Sequence, residues 1–227
     1  MELNYLLVRS KKRKKTISLH LRKDGSIVIQ SPHGVPKSEI DNFFHRKKDW
    51  LQKKIGEKKE NSTENNPRNF LPGETFLFMG CSYPLVVRDD NNGTYPLTFS
   101  DHQFILSEDN VHEARALFVE WYREKAGKYI EERVCHYSEI LQLHPGRVRI
   151  GNAKSRWGAC SPDNNLSFAW RLVMAPCSVI DYVVVHEVAH IREKNHSHHF
   201  WNLLERVVPD YGIHRHWLRK NGHLLDV

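Results

Sequence analysis

The segment 183–196 reads V-V-V-H-E-V-A-H-I-R-E-K-N-H and holds the side chains best suited to chemistry. On an α-helix His186 and His190 lie one turn apart and project from the same face, so two imidazoles can meet a single cation. Glu187 falls about 100° further round, at the edge of that face, which suits a carboxylate touching a metal's water rather than the metal. Zinc lowers the pKa of such a water towards ~7, and the carboxylate takes its proton as it attacks. Val183, Val184, Val185, Val188, Ala189 and Ile191 surround these groups. They sink the helix into a core, where unpaired His and Glu would be expensive.

A catalytic zinc site needs a third protein ligand and an open position for water. His196 is the preferred choice. Ten residues beyond His186, a continuous helix would point it off the metal-facing side. Lys194-Asn195 supplies a helix stop, since Asn tolerates the left-handed conformation, and the chain can turn His196 back. Ser197 is placed to cap a following helix in which Phe200, Trp201, Leu204 and Val207 share a face. His198, His199 and Glu205 compete for the same role. The metzincin pattern is excluded, because Glu193 stands where its required glycine would be, although His196 falls at its final histidine. Around the centre, Arg156 could bind an anionic group or stabilise an oxyanion, or else stack on Trp157 or Trp170. Tyr182, one turn before His186, could donate to an oxyanion, as could His214 or His216.

The elements that must position these groups follow from periodicity. Leu3–Val8, the alternating Thr16–Leu21 and Ile27–Ile29 read as strands, with Asp24-Gly25 as a hairpin turn. Pro36 and Ser38 open a helix carrying Ile40, Phe43, Phe44, Leu51 and Ile55 on one face. Residues 56–69 are polar and form the best mobile linker. Short strands are expected at Phe76–Met79, Tyr83–Arg88, Tyr95–Phe99 and Phe104–Leu106, with Asn92-Gly93 as a turn. A long helix runs from Val111 to about Leu141 and is ended by Pro145-Gly146. Val148–Ile150 is a strand, 155–173 a hairpin, and about Ser178–Glu193 the motif helix. The expected class is α+β, a β-rich N-terminal region with one helix (1–108) followed by a mainly helical catalytic unit with a β-hairpin or small sheet (109–227).

Composition sets the outer limits. At 227 residues with 40% hydrophobic and 27% charged content, the chain suits one or two globular domains. No run approaches the ~20 apolar residues of a membrane helix, so no membrane partner is expected. The sequence from Met1 lacks a basic-then-apolar leader, which points to the cytoplasm. Cys81, Cys135, Cys160 and Cys177 are scattered and form no C-x-x-C pair, which fits buried reduced thiols better than disulfides or a thiolate zinc site. The net charge of +7 is uneven: the first 60 residues hold 16 Lys/Arg against 7 Asp/Glu, the rest 18 against 20. Arg9–Lys15 alone has six basic residues in seven, a candidate nucleic-acid contact or a protected sheet edge.

At these residues the chain resembles the YgjP-like zinc metallopeptidase family, related to the SprT-type and WLM proteases. The resemblance is carried by Arg156-Trp157-Gly158-Ala159-Cys160, by Asp181 to His190, by Asn195-His196-Ser197 with Phe200-Trp201, and by Pro209-Asp210-Tyr211. Arg9–Leu19 and Leu71-Pro72-Gly73-Glu74 extend it over essentially the whole chain. It implies a zincin-like catalytic unit with zinc on His186, His190 and His196 and Glu187 as general base. Ala159 and Ala169 depart from the family's usual Ser and Asn, which touches the hairpin and not the metal ligands.

Three functions follow as expectations. The first is a zinc metallopeptidase acting on peptides or proteins. The second keeps the metal and Glu187 but hydrolyses a nucleotide pyrophosphate, suggested by the basic N-terminal half and Arg156, although single three-His zinc sites are less usual in phosphate chemistry. The third is a non-enzymatic nucleic-acid binder working through Arg9–Lys15.

Overall fold

The computed structural model describes residues 4–11, 13–22, 25–52, 68–89 and 96–227. The turn residue Asp24, most of the 56–69 linker, the Asn92-Gly93 turn and Lys12 of the basic run lie outside them. The chain divides into two compact units, Met1–Asn66 and Pro67–Val227.

In the first unit, strands β1 (Tyr5–Ser10), β2 (Ser18–Leu21) and β3 (Ile27–Pro32) precede helix α1 (Lys37–Arg46). Strand β3 lies in the middle, antiparallel to β2 and parallel to β1. A central strand explains why Ile27, Val28 and Ile29 are all buried rather than alternating. Ile27 and Ile29 pack with Ile40, Phe44 and Leu51 into a small core. Two arginines of the basic run are engaged locally. Arg9 donates to the carbonyls of Pro32, His33 and Val35 at 3.1, 2.8 and 2.6 Å, and Arg13 donates to Ser18 Oγ and Gln30 Oε1.

The second unit opens with β4 (Thr75–Phe78), β5 (Cys81–Arg88), β6 (Leu97–Ser100) and β7 (Gln103–Ser107), in the sheet order β4-β5-β7-β6. Helix α2 (Ala114–Leu141) crosses it, burying Phe118, Trp121, Tyr122, Ala126, Ile130 and Val134 along one stripe. Phe76, Phe104, Phe118 and Trp121 form an aromatic cluster, with the Phe76 and Phe118 rings stacked at 4.2 Å. The β4–β7 sheet shares one core with α2, and both lie within the unit Pro67–Val227. Helix α2 also ends before Pro145-Gly146. Gln142 takes the left-handed conformation (φ 53°) and Leu143 N–H bonds back to the Ser138 carbonyl, closing the helix without glycine.

Strands β8 (Val148–Gly151), β9 (Gly158–Cys160) and β10 (Leu166–Ala169) form a second sheet, ordered β8-β10-β9, with β9 antiparallel to β10 as the expected hairpin. A buried 3-10 turn, Trp170–Met174, leads into α3 (Cys177–Ala189), followed by α4 (His198–Glu205) and α5 (Tyr211–Asn221). The tip of the β4–β5 hairpin holds the entry to α3: Met79 and Gly80 N–H groups donate to the carbonyls of Val173 and Met174. A Cβ on Gly80 would lie 2.8 Å from Pro176 Cα, so only glycine allows this approach. The cysteines are free, but Cys81, Cys135 and Cys177 are exposed and not interior. Among the described residues no helix is long and apolar enough to cross a membrane.

Candidate metal centre

Helix α3 is buried on nearly every side, with Val179, Ile180, Val183, Val184, Val185, Val188 and Ala189 all in the core. A helix so enclosed needs a reason to carry His and Glu. Its rotation is fixed by Asp181, whose two oxygens accept from Arg133 Nε and Nη2 of α2 at 2.7 and 3.1 Å. His186 and His190 consequently face one side, their rings 4.9 Å apart.

The helix closes at His190, earlier than the expected Glu193. Tight bonds from Ile191 and Arg192 N–H to the Val188 and Ala189 carbonyls end it. Asn195 makes the following turn by a different route from the one expected. It is absent from the left-handed residues and instead accepts the Ser197 N–H on its side-chain oxygen at 3.1 Å. Ser197 caps α4 by accepting the Phe200 N–H, as expected. His196 is thereby brought back, stacked on Trp201, with its Nε2 3.0 Å from His186 Nε2. One ring nitrogen from each of His186, His190 and His196 lies within 4.8 Å of the others.

These groups fit a metal ion. His190 Nδ1–H donates to the Glu193 carbonyl at 2.9 Å, which fixes the tautomer and leaves the Nε2 lone pair for the cluster. Burial pushes His186 down to about 3, helped by His190, His196 and Arg215, and burial also lowers His190. Both are therefore neutral imidazoles, the ligating form. The buried Nδ1 of His186 has no protein partner, and its Nε2 faces another Nε2. With both Nε2 atoms turned towards the same point, the pair suits a shared cation. Two nitrogens at ~2.0 Å from a tetrahedral centre are roughly 3.3 Å apart, close to the 3.0 Å found here.

Glu187 is buried, and desolvation pushes its carboxyl up to about 7 against the opposing pull of Arg156. It reaches a cavity of about 280 Å³ that His186, Tyr182, Val183, Trp157 and Gly158 also line. Tyr182 is likewise buried, its ring 5.9 Å from His186, and desolvation raises its phenol. Arg156 lines the neighbouring cavity rather than this one. His214 is tied to Asp210 at 3.2 Å, and His216 accepts from Arg219.

The family model described as YgjP-like, metallopeptidase domain, matches residues 15–221. The chain belongs to the YgjP-like metallopeptidases. Among solved structures it is similar to the crystal structure of the metallopeptidase zymogen of Pyrococcus abyssi abylysin, at 22% identity and a TM-score of 0.35, over 40% of this chain and 93% of that one. No curated protein matches the chain. A metallopeptidase family implies a metal ion, and the three histidines could hold it.

In this YgjP-like chain, sequence reasoning passed over three contributors to the cavity. Gly158 had no separate role in its motif, yet a Cβ there would come within 2.6 Å of Glu187 Oε1. Arg215 and Arg219 line the cavity from α5. Their four-residue spacing places them on one helix face, but only the fold shows which face meets α3.

Proposed function

We propose that this chain is a zinc-dependent metallopeptidase, with His186, His190 and His196 as zinc ligands and Glu187 as general base. The observation carrying the proposal is the convergence of three histidine nitrogens, one of them from His186, which lines a cavity together with the buried carboxylate of Glu187. Three imidazole nitrogens are a donor set suited to zinc. Zinc held there supplies a Lewis acid that acidifies water and polarises a carbonyl. Glu187 accepts the proton of the attacking water and passes it to the departing amine, a task that suits a carboxyl held near neutrality. Tyr182, in the same cavity, donates to the developing oxyanion.

Strand β9 favours a peptide substrate. It pairs only with β10 among the described residues, and Gly158 abuts Glu187. Bonds from Ala169 N–H to Trp157 O and from Ser161 N–H to Asn165 O set the antiparallel alternation. By that alternation Gly158 and Cys160 direct N–H and C=O towards the free edge. An extended peptide can add there as a further strand, with its carbonyl beside Glu187. Arg215 and Arg219 in the cavity favour a second reading, a nucleotide phosphoanhydride, but such a substrate would leave the β9 edge unused.

The test is digestion of an unfolded protein by zinc-loaded protein, chelator-treated protein and Glu187→Gln. The proposal expects cleavage by the first, none by the second until zinc is restored, and none by the variant although it retains zinc. Equal cleavage by wild type and Glu187→Gln would reject it, and hydrolysis of a nucleoside triphosphate alone would favour the second reading.

A further inference from the structure

The cavity over Glu187 has a neighbour of about 300 Å³, and the two share Trp157 and Leu218 as walls. Trp157 stands between them, wedged so closely that a Cβ on Gly222 would lie 2.7 Å from its Cζ2. Arg215 and Arg219 line the first cavity, and Lys154 and Arg156 the second. A further cation of the second cavity, Arg171, is already neutralised by Asp226 at 2.9 Å. Among the described residues no carboxylate forms an ion pair with Lys154, Arg156, Arg215 or Arg219. Four cations without a carboxylate ion pair among the described residues thus border the two cavities, whose own acidic lining is the buried Glu187 and the paired Asp226. Glu205 and Asp210 line a further cavity beside Arg215 and Arg219. Like charges at such density repel each other, and an anionic ligand relieves that repulsion.

We infer that these adjoining cavities form a specificity subsite for an acidic side chain, Asp or Glu, beside the bond to be cut. The inference rests on the peptidase reading and names its substrate class. A peptide extended along the free edge of β9 turns alternate side chains to the same side. Trp157 and Leu218 offer apolar walls for the methylene stem. The planar forks of Arg215 and Arg219 match a carboxylate in two-point hydrogen bonding. Apolar walls and a strand edge, rather than a glycine-rich loop of N–H groups, favour a carboxylate on a peptide over a polyphosphate.

The experiment compares matched fluorogenic peptides, Glu against Gln and Asp against Asn beside the cleavage site, on zinc-loaded protein. Binding of the same peptides to metal-free Glu187→Gln protein is measured by calorimetry. The expected result is a kcat/KM ratio and an affinity ratio of roughly tenfold or more in favour of the acidic member. Both ratios collapse or invert in Arg219→Glu and Arg215→Glu, and fall to a smaller degree in Arg156→Gln. Cleavage without acidic preference, or a preference that survives Arg219→Glu and Arg215→Glu, overturns the subsite and leaves the peptidase reading intact. Acid-selective binding that Arg219→Glu abolishes, without cleavage of any peptide, supports the subsite and rejects the peptidase reading. Tight binding of a nucleoside triphosphate with no discrimination between the peptides overturns the subsite as an acidic side-chain pocket.

Discussion

Gly158 on the edge strand β9 is packed against Glu187 so closely that a methyl group on it would lie 2.5 Å from Glu187 Cγ. The carboxylate borders the cavity, so an added methyl would push it out of its present position. Gly158→Ala is therefore expected to displace Glu187 while leaving the three histidines in place. A misplacement of about 1 Å costs roughly 100-fold in rate. Peptide hydrolysis should fall by about that factor in kcat, with zinc content unchanged. Loss of zinc together with activity would show that Gly158 supports the whole centre instead.

The Arg133–Asp181 pair sets how α3 is turned. Both side chains are mostly buried, at 22% and 19% exposure, and they meet at two points. Replacing either partner leaves a charge poorly solvated, with an expected cost of about 1–3 kcal/mol. Denaturant unfolding of Arg133→Ala, Asp181→Ala and the double variant should show a favourable coupling energy. Additive losses would mean that the pair does not act as a unit.

Tyr122 gives the stability an alkaline limit. Its hydroxyl donates to the Leu77 carbonyl at 2.6 Å, and burial holds its phenol well above the ordinary value. With the folded pKa raised, the native state keeps a proton that the unfolded chain loses near pH ~10. The contribution is full below that pH and disappears as the pH rises above it. Tyr122→Phe should cost about 1 kcal/mol near neutrality, yet lose less stability than wild type between about pH 9 and 11. Parallel alkaline losses in the two proteins would exclude Tyr122 as a source.

Metal removal should act on one unit. The candidate ligands all lie in Pro67–Val227. A ligand present at a thousand times its Kd stabilises the folded form by about 4 kcal/mol. Chelation should therefore lower the unfolding midpoint of that unit and leave Met1–Asn66 unaffected in hydrogen exchange. The zinc affinity should also weaken on acidification, as protons compete for the imidazoles. A midpoint indifferent to chelator would contradict metal binding in the native state.

The local elements of this fold were readable where a single face or turn specified them. His186 and His190 share a face because their spacing is one helical turn, and Ser197 caps α4 because its hydroxyl is correctly offset from Phe200 N–H. What escaped the sequence depended on distant partners. The parallel pairing of β1 with β3 and the docking of β4–β7 on α2 join segments that no local pattern connects. Gln142 ends α2 by a backbone conformation that its side chain does not announce. At the centre, the turn to His196 was anticipated but its mechanism was not, since Asn195 works through its side-chain oxygen. Gly158, Arg215 and Arg219 gained their meaning only when β9 and α5 were laid against α3.

The most direct test of the three-histidine centre is zinc content per chain, measured by mass spectrometry after dialysis, for wild type, His196→Ala, His199→Ala and Glu187→Gln. His186, His190 and His196 converge, whereas His199 lies outside their cluster. The account predicts one zinc per chain in wild type, His199→Ala and Glu187→Gln, and a severe loss in His196→Ala. Wild type without stoichiometric zinc, or a loss in His199→Ala with full zinc in His196→Ala, would contradict it.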